Sequence, residues 1–231
     1  MRYTFQFQQV FAHFDELLVG IALTLQLSLM TLIFGVLLGI VAARLLTAGP
    51  KPVQVVVRAY VEMIRNTPLL VQLFLVYFGL PALGVRFDAN TTAMIALVIN
   101  MGAYTTEIVR AGIESVHRSQ VEAGMSLALT PFQVFRHIIL PPALQAVYPA
   151  LASQFVLIML ATSITSAISA TELTSVANTI QGQNFRSLEV YIVTAGLYLC
   201  LAFAFKLLLW VIGLVAFPRS RRQLLDMVAG K

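Results

Sequence analysis

Residues 119–142 read SQVEAGMSLALTPFQVFRHIILPP, and they form the one long amphipathic stretch in a chain that is otherwise mostly hydrocarbon. Long apolar runs flank them on both sides, so the architecture turns on whether these residues span, pack or connect. Ser119 followed by Glu122 fits the S-x-x-E capping box, in which the hydroxyl accepts from one free N–H and the carboxylate reaches back to another. A helix is therefore expected to start at Ser119. Thr130, Pro131 and Gln133 repeat the signature as T-P-x-Q, with proline at the first helical position, where its missing N–H is harmless. Pro141 and Pro142 are expected to stop this second helix. The stretch reads as two short helices joined at a bend near Thr130. Val121, Met125, Ala128 and Leu129 share a face of the first, and Phe132, Phe135 and Ile139 a face of the second. Both helices are too short and too charged to cross a membrane.

Outward from this segment, composition sets the solvent. A chain of 231 residues that is 59% hydrophobic and 11% charged carries more apolar surface than one soluble core can hide. A spanning helix needs about 20 mostly apolar residues, and runs at 19–43, 92–113, 143–164 and 190–217 supply them. A fifth, 58–80, opens with the polar RAYVEMIRNTP and becomes purely apolar only at Leu69. It is expected either to start deep in the interface or to break near Pro68. The fold class is thus an all-α integral membrane protein, a single domain over 1–231 with about five transmembrane helices. The segment 119–141 connects the third to the fourth. The first eighteen residues, mixed polar and aromatic, show no cleavable signal. The lone Cys200 has no partner for an intrachain disulfide.

Lys and Arg at the span ends give the orientation. With the N-terminus outside, the inner side holds Arg44, Lys51, Arg58, Arg65, Arg110, Arg118, Arg136, Arg219, Arg221, Arg222 and Lys231, against Arg2, Arg86 and Arg186 outside. The C-terminus and residues 119–141 are then cytoplasmic. An amphipathic connector of this kind either packs on its own membrane domain, lies in the headgroups, or offers its apolar face to a soluble partner.

Polar residues inside the spans are the other informative class, because they are costly at membrane depth. Glu107 and Lys206 lie about 22 and 24 Å from the outer ends of their spans, a depth that permits a salt bridge, with Arg110 competing for Glu107. Asn100 and Tyr104, one turn apart on the third span, are candidates to line a polar path with Gln154, Thr162 and Ser163 on the fourth. Interhelical hydrogen bonding is the alternative. Residues 166–188, rich in Ser, Thr, Asn and Gln, are expected outside, where a plain external loop would suffice. No Gly-x-x-x-x-Gly-Lys-Ser/Thr frame surrounds Lys51, Lys206 or Lys231, so the chain has no Walker motif for ATP. His13, His117 and His137 are too widely spread for a recognisable metal motif. No catalytic triad can be argued from spacing, so no cofactor or metal is expected on this chain.

EAG at 122–124, followed by Ile138, Leu140 and Pro141, resembles the EAA motif of ATP-binding cassette importer permeases. YVEMIRNTPLLVQLFLVYFGLP (60–81), AYTTEIVRAGIESV (103–116) and ATSITSAISATEL (161–173) resemble the polar amino-acid subgroup, whose topology is five helices with the N-terminus outside. The resemblance implies a multi-pass inner-membrane permease working by alternating access. Its bent coupling helix would sit in a groove of a cytoplasmic ATPase dimer that uses ATP and Mg. Glu122, Ala123, Gly124, Met125, Ala128, Leu129 and Phe132 would carry that coupling. It further implies a second permease chain, identical or related, and a periplasmic or extracellular solute-binding protein; membrane lipid surrounds the chain and nucleic acid has no place. Three positions depart from the pattern: Gly124 for the usual Ala, Ala128 for the usual Gly, and Leu160-Ala161 for the common Lys-Asp ahead of Thr162 and Ser163. The last removes an acidic partner for a cationic ligand and points to a neutral or acidic amino acid. Another small polar solute, such as an opine, stays open. So does a non-transporting scaffold or signalling subunit, though a scaffold has no need of Asn100, Tyr104, Thr162 and Ser163 at depth.

Overall fold

A one-turn helix, α1 (Gln8–Phe11), precedes a 35-residue helix, α2 (Phe14–Ala48), in the computed structural model, which describes residues 4–216. Next come α3 (Lys51–Arg65), α4 (Leu69–Ala82), α5 (Ala89–Glu114), the short α6 (Arg118–Ser126) and the one-turn α7 (Pro131–Val134). α7 passes through a π-helical turn, Phe135–Ile139, into α8 (Leu140–Ala161), which tightens to 3-10 geometry over Thr162–Ile168. α9 (Leu173–Asn184) and α10 (Ser187–Ala216) complete the described chain, all helix and no strand.

Four elements, Phe14–Ala48, Ala89–Glu114, Pro131–Ile168 and Ser187–Ala216, are long and apolar enough to cross a membrane, and α3 with α4 makes a fifth only as a pair bent by 113°. The doubtful span is therefore the broken one, and it begins at Lys51 rather than near residue 58. Pro68 causes the break: it offers no N–H and forces Thr67 out of helical geometry. Gln72 then staples the bend, its amide donating to the carbonyls of Ile64 at 2.7 Å and Thr67 at 2.9 Å. The expected end of the last span at 217, and Arg2, Arg219, Arg221, Arg222 and Lys231 of the charge count, lie outside the described residues.

The centre of the bundle is the seam between α2 and α5. Gly20, Thr24, Ser28, Thr31, Gly35, Gly39 and Ala43 recur every three or four residues along α2 and are buried, a stripe of small residues that lets neighbouring backbones approach closely. Gly20 and Thr24 meet Leu173 at the start of α9, and the rest of the stripe runs on towards α5. A Cβ added at Gly35 would fall 2.5 Å from Met101 Cγ, and one at Gly39 would fall 2.4 Å from Thr105 Cβ. These pairs put α2 and α5 side by side and parallel, so Ala48 and Glu114 end at the same face of the bundle. α4 runs antiparallel to α5, with Leu73 packed on Ala93 and Ala96 and Asn100 bonded to Gln72. A 113° turn from that direction leaves α3 lying across the bundle rather than along it, at the end that carries α6.

The opposite end is closed by α9, so residues 166–188 are mostly packed helix and not a plain loop. Glu172, fully buried, caps α9 by accepting from Ser175 N–H at 2.7 Å and Thr174 N–H at 2.9 Å, and it also accepts from the Tyr198 hydroxyl at 2.5 Å. Leu173 N–H donates to Thr24 Oγ1, which ties α9 to α2. At the same end Asp88 caps α5 through the hydroxyl and N–H of Thr91; these bonds hold its carboxyl below the ordinary range. Pro141 and Pro142 do not stop the second helix. They occupy the first turn of α8, where a missing N–H is tolerated, and the π turn ahead of them shifts the ladder so that Leu140 N–H reaches Phe135 O.

Candidate functional site

Beyond the shared end of α2 and α5 the chain builds the bent segment. α6 starts two residues earlier than its sequence signature implies: His117, not Ser119, is the cap, its Nδ1 accepting from Ser119 N–H at 3.2 Å. The ring reaches the free N–H two residues on, so Ser119 falls inside the helix and Glu122 pairs with Arg118 at 2.9 Å instead of closing a box. The second signature forms as expected. Gln133 N–H donates to Thr130 Oγ1, and Thr130 N–H donates to Gln133 Oε1 at 2.9 Å. Between the two caps the chain turns through Ala128, at φ 57°. Leu129 N–H donates to Gly124 O and Ala128 N–H to Met125 O, the paired bonds of a Schellman ending, whose left-handed position usually takes glycine.

The segment folds back on itself. Gly124 is buried, and a Cβ there would stand 2.2 Å from Ile138 Cδ1, the movable end of a side chain on the π turn, so α6 sits close against that turn. Val134 is also buried. Ala123, Glu122 and Ala128 are exposed and Leu129 is half-buried. What remains most uncovered is a patch of three large apolar side chains, Met125 at 57%, Leu127 at 76% and Phe132 at 68% exposure, with Phe135 less exposed beside them. Leu127 was missed in the sequence because it falls on the cap, off the helical period that marks Met125.

In the interior, the structure brings together fewer of the expected path residues than their spacing allows. Asn100 is buried and donates to Gln72 Oε1 at 2.9 Å. Tyr104, one turn on, is half-buried beneath the Arg65 guanidinium, 5.6 Å from its ring centre. Gln154 is half-buried on α8. Thr162, fully buried, donates to Met159 O, and Ser163 donates to Leu160 O, both at 2.7 Å. Thr165 and Ser166 follow the same rule, giving a ladder of hydroxyls on a 3-10 stretch, a geometry that often marks a hinge inside a longer helix. α5 and α8 meet through Leu97, Met101 and Ile158.

Glu107 does not pair with Lys206. Arg110 clamps both of its oxygens, at 3.2 and 2.8 Å, and Arg65 approaches to 3.5 Å; the neighbour three residues on is fixed by the helix itself, whereas Lys206 is exposed on α10. Arg110 also bonds Glu114 at 2.6 Å. Arg65 and Gln72 were not singled out from sequence, because what makes them matter is the bend that carries them to α5.

Residues 35–217 match the family model described as binding-protein-dependent transport system inner membrane component. The chain is 33% identical over 207 residues to the glutamine transport system permease protein GlnP of Escherichia coli K12, covering 89% of this chain and 94% of that protein. It is 37% identical over 194 residues to the L-cystine transport system permease protein TcyB of Bacillus subtilis, covering 84% and 83%. It is 34% identical over 206 residues to the nopaline transport system permease protein NocM of Agrobacterium fabrum, covering 85% and 86%. Among solved structures, a chain of an amino acid ABC transporter crystallised with histidines superposes with a TM-score of 0.86 at 36% identity, covering 91% of this chain and 99% of that one. A MetNI methionine transporter chain shares the fold, with a TM-score of 0.72 at 18% identity, covering 87% and 96%. With its broken second span, its parallel α2–α5 seam and its bent, apolar-tipped connector, the chain belongs to the family of binding-protein-dependent transport system inner membrane components.

Proposed function

We propose that this chain is the permease subunit of an ATP-binding cassette importer for polar amino acids, and that the bent segment couples it to the ATPase. The observation that carries the coupling is the patch formed by Met125, Leu127 and Phe132: three large apolar side chains left uncovered by a connector capped at both helix starts. A segment meant only to pack on its own spans would bury them, as it buries Gly124 and Val134. The sequence holds no Walker motif, so ATP and Mg belong to a separate ATPase subunit. On this reading the N-terminus lies outside and α6 inside, a second permease chain completes the path, and a solute-binding protein delivers the solute at the α9 end. The ATPase drives alternating access by moving α6 and, through the π turn, α8.

Glutamine, cystine and nopaline name the transport systems of three relatives, which bounds the solute to amino acids and their derivatives. Thr162 and Ser163 give their hydroxyl protons to Met159 O and Leu160 O, and with Leu160 and Ala161 beside them they offer no charge. A guanidinium side chain wants an acidic partner, and residues 160–163 supply none. The solute is therefore a neutral or acidic amino acid. Reconstitution of the complete transporter in proteoliposomes, with ATPase rate and uptake measured for glutamine, glutamate, histidine and arginine, tests this. Stimulation by glutamine or glutamate is expected. Clear preference for arginine, with no acidic residue supplied by the second permease chain, contradicts it.

A further inference from the structure

α3 presents two different surfaces. On one, Val57 and Val61 are buried against Ala42 and Leu46, and the Tyr60 hydroxyl donates to Ile99 O at 2.7 Å. The other is a row at helical spacing, Lys51, Gln54, Val55, Arg58, Ala59 and Glu62, that lines an open cleft of about 450 Å³. Val55 in the row, and Val56 and Met63 flanking it, are each about two-thirds exposed, at 67%, 68% and 64%. Arg65, Arg110, Arg118 and Arg186 each have a carboxylate within 4.0 Å. Among the described residues, Lys51 and Arg58 have none, as is also true of Arg44, Arg86, Arg136 and Lys206. Lys51 and Arg58, however, share one cleft, and the one carboxylate lining it, Glu62, lies a turn beyond Arg58. The two cations are about 10 Å apart along the helix axis, a gap two long flexible side chains can close around one phosphate. Because α3 lies across the bundle at the α6 end, its axis is near the membrane plane. An amphipathic helix in that attitude sinks apolar side chains among acyl chains and holds cations at headgroup level.

We propose that the outward face of α3 is a binding site for an anionic phospholipid, with Lys51 and Arg58 on its phosphate and the acyl chains along Val55, Val56 and Met63. This rests on the chain lying in a bilayer and is independent of what it transports.

Native mass spectrometry of the full-length permease, supplied with phosphatidylglycerol or phosphatidylcholine, tests the site. Wild type is expected to retain phosphatidylglycerol preferentially. At about 1 kcal/mol per cation near a charged surface, the double variant K51Q/R58Q is expected to bind it about thirtyfold more weakly. The charge-preserving K51R/R58K should retain it, and so should Arg86→Gln, which removes a cation at the other end of the bundle. Thermal unfolding of all variants in detergent checks that each is folded. Equal retention of the two lipids by wild type would overturn the proposal, as would undiminished phosphatidylglycerol binding by K51Q/R58Q. Loss of the second permease chain from K51Q/R58Q with lipid retention unchanged would also overturn it and assign the face to a permease–permease contact.

Discussion

Replacing Ala128 with glycine stabilises the bent segment. Ala128 sits at φ 57°, where a Cβ crowds the following carbonyl and costs an L-residue about 1–2 kcal/mol. Glycine removes that crowding but loses about 0.5–1 kcal/mol more chain entropy on ordering. The two effects leave a net gain of about 0.5–1 kcal/mol for Ala128→Gly. The gain should appear at the two amides that close the turn, those of positions 128 and 129, which donate to Met125 O at 2.9 Å and Gly124 O at 3.3 Å. Amide hydrogen exchange on the full-length chain in nanodiscs reads them directly, and a gain of this size slows exchange there by about two- to fivefold. Ala128→Val should act in the opposite sense and more strongly, because a β-branched residue tolerates positive φ least. Unchanged or faster exchange in Ala128→Gly would refute the assignment of a Schellman ending at this bend, and with it the claim that the segment is pre-shaped.

The remaining predictions probe the scaffold and the orientation. Gly39→Ala places a methyl 2.4 Å from Thr105 Cβ and 3.0 Å from Gly102 O, so it should destabilise the chain by about 1–3 kcal/mol in a thermal melt, while Gly182→Ala, where the added methyl meets nothing within 4 Å, should not show this packing penalty. Gln72→Leu leaves the Asn100 amide and the carbonyls of Ile64 and Thr67 without this partner and should cost about 2–3 kcal/mol; an unchanged melt would show that the staple does not hold the bend. A cysteine at Ser119 should label only from the cytoplasmic side and one at Asn178 only from outside, in whole cells with membrane-impermeant maleimide; the reverse pattern would invert the proposed topology.

What the sequence made legible was local or additive. The four clean spans needed only hydropathy, and the Thr130 box formed because all its partners lie within four residues. The Ser119 box failed for an equally local reason: a histidine two residues upstream reached the free N–H first. Pro141 and Pro142 misled because a helix can absorb prolines where a π turn precedes them. The stripe from Gly20 to Ala43 was invisible to a hydropathy reading, since small residues barely change the mean that marks a span, and its meaning depends on α9 and α5 lying opposite. Asn100 illustrates the limit for the candidate path. Its depth was readable, but its partner Gln72, 28 residues away, is brought near only by the antiparallel packing of α4 on α5.

The coupling claim is tested most directly by Met125→Asp and Phe132→Asp in the complete transporter, with co-purification of the ATPase subunit and amino-acid uptake measured on the same preparations. A carboxylate forced into a closed apolar contact without a partner costs about 3–5 kcal/mol, enough to lower affinity by two orders of magnitude or more. Glu122→Gln, which keeps its hydrogen-bonding capacity but loses its charge pair with Arg118, should be milder. Both Asp variants are expected to insert in the membrane at wild-type level, lose the ATPase and fail to transport. Full retention of the ATPase together with normal uptake in both would contradict the coupling claim.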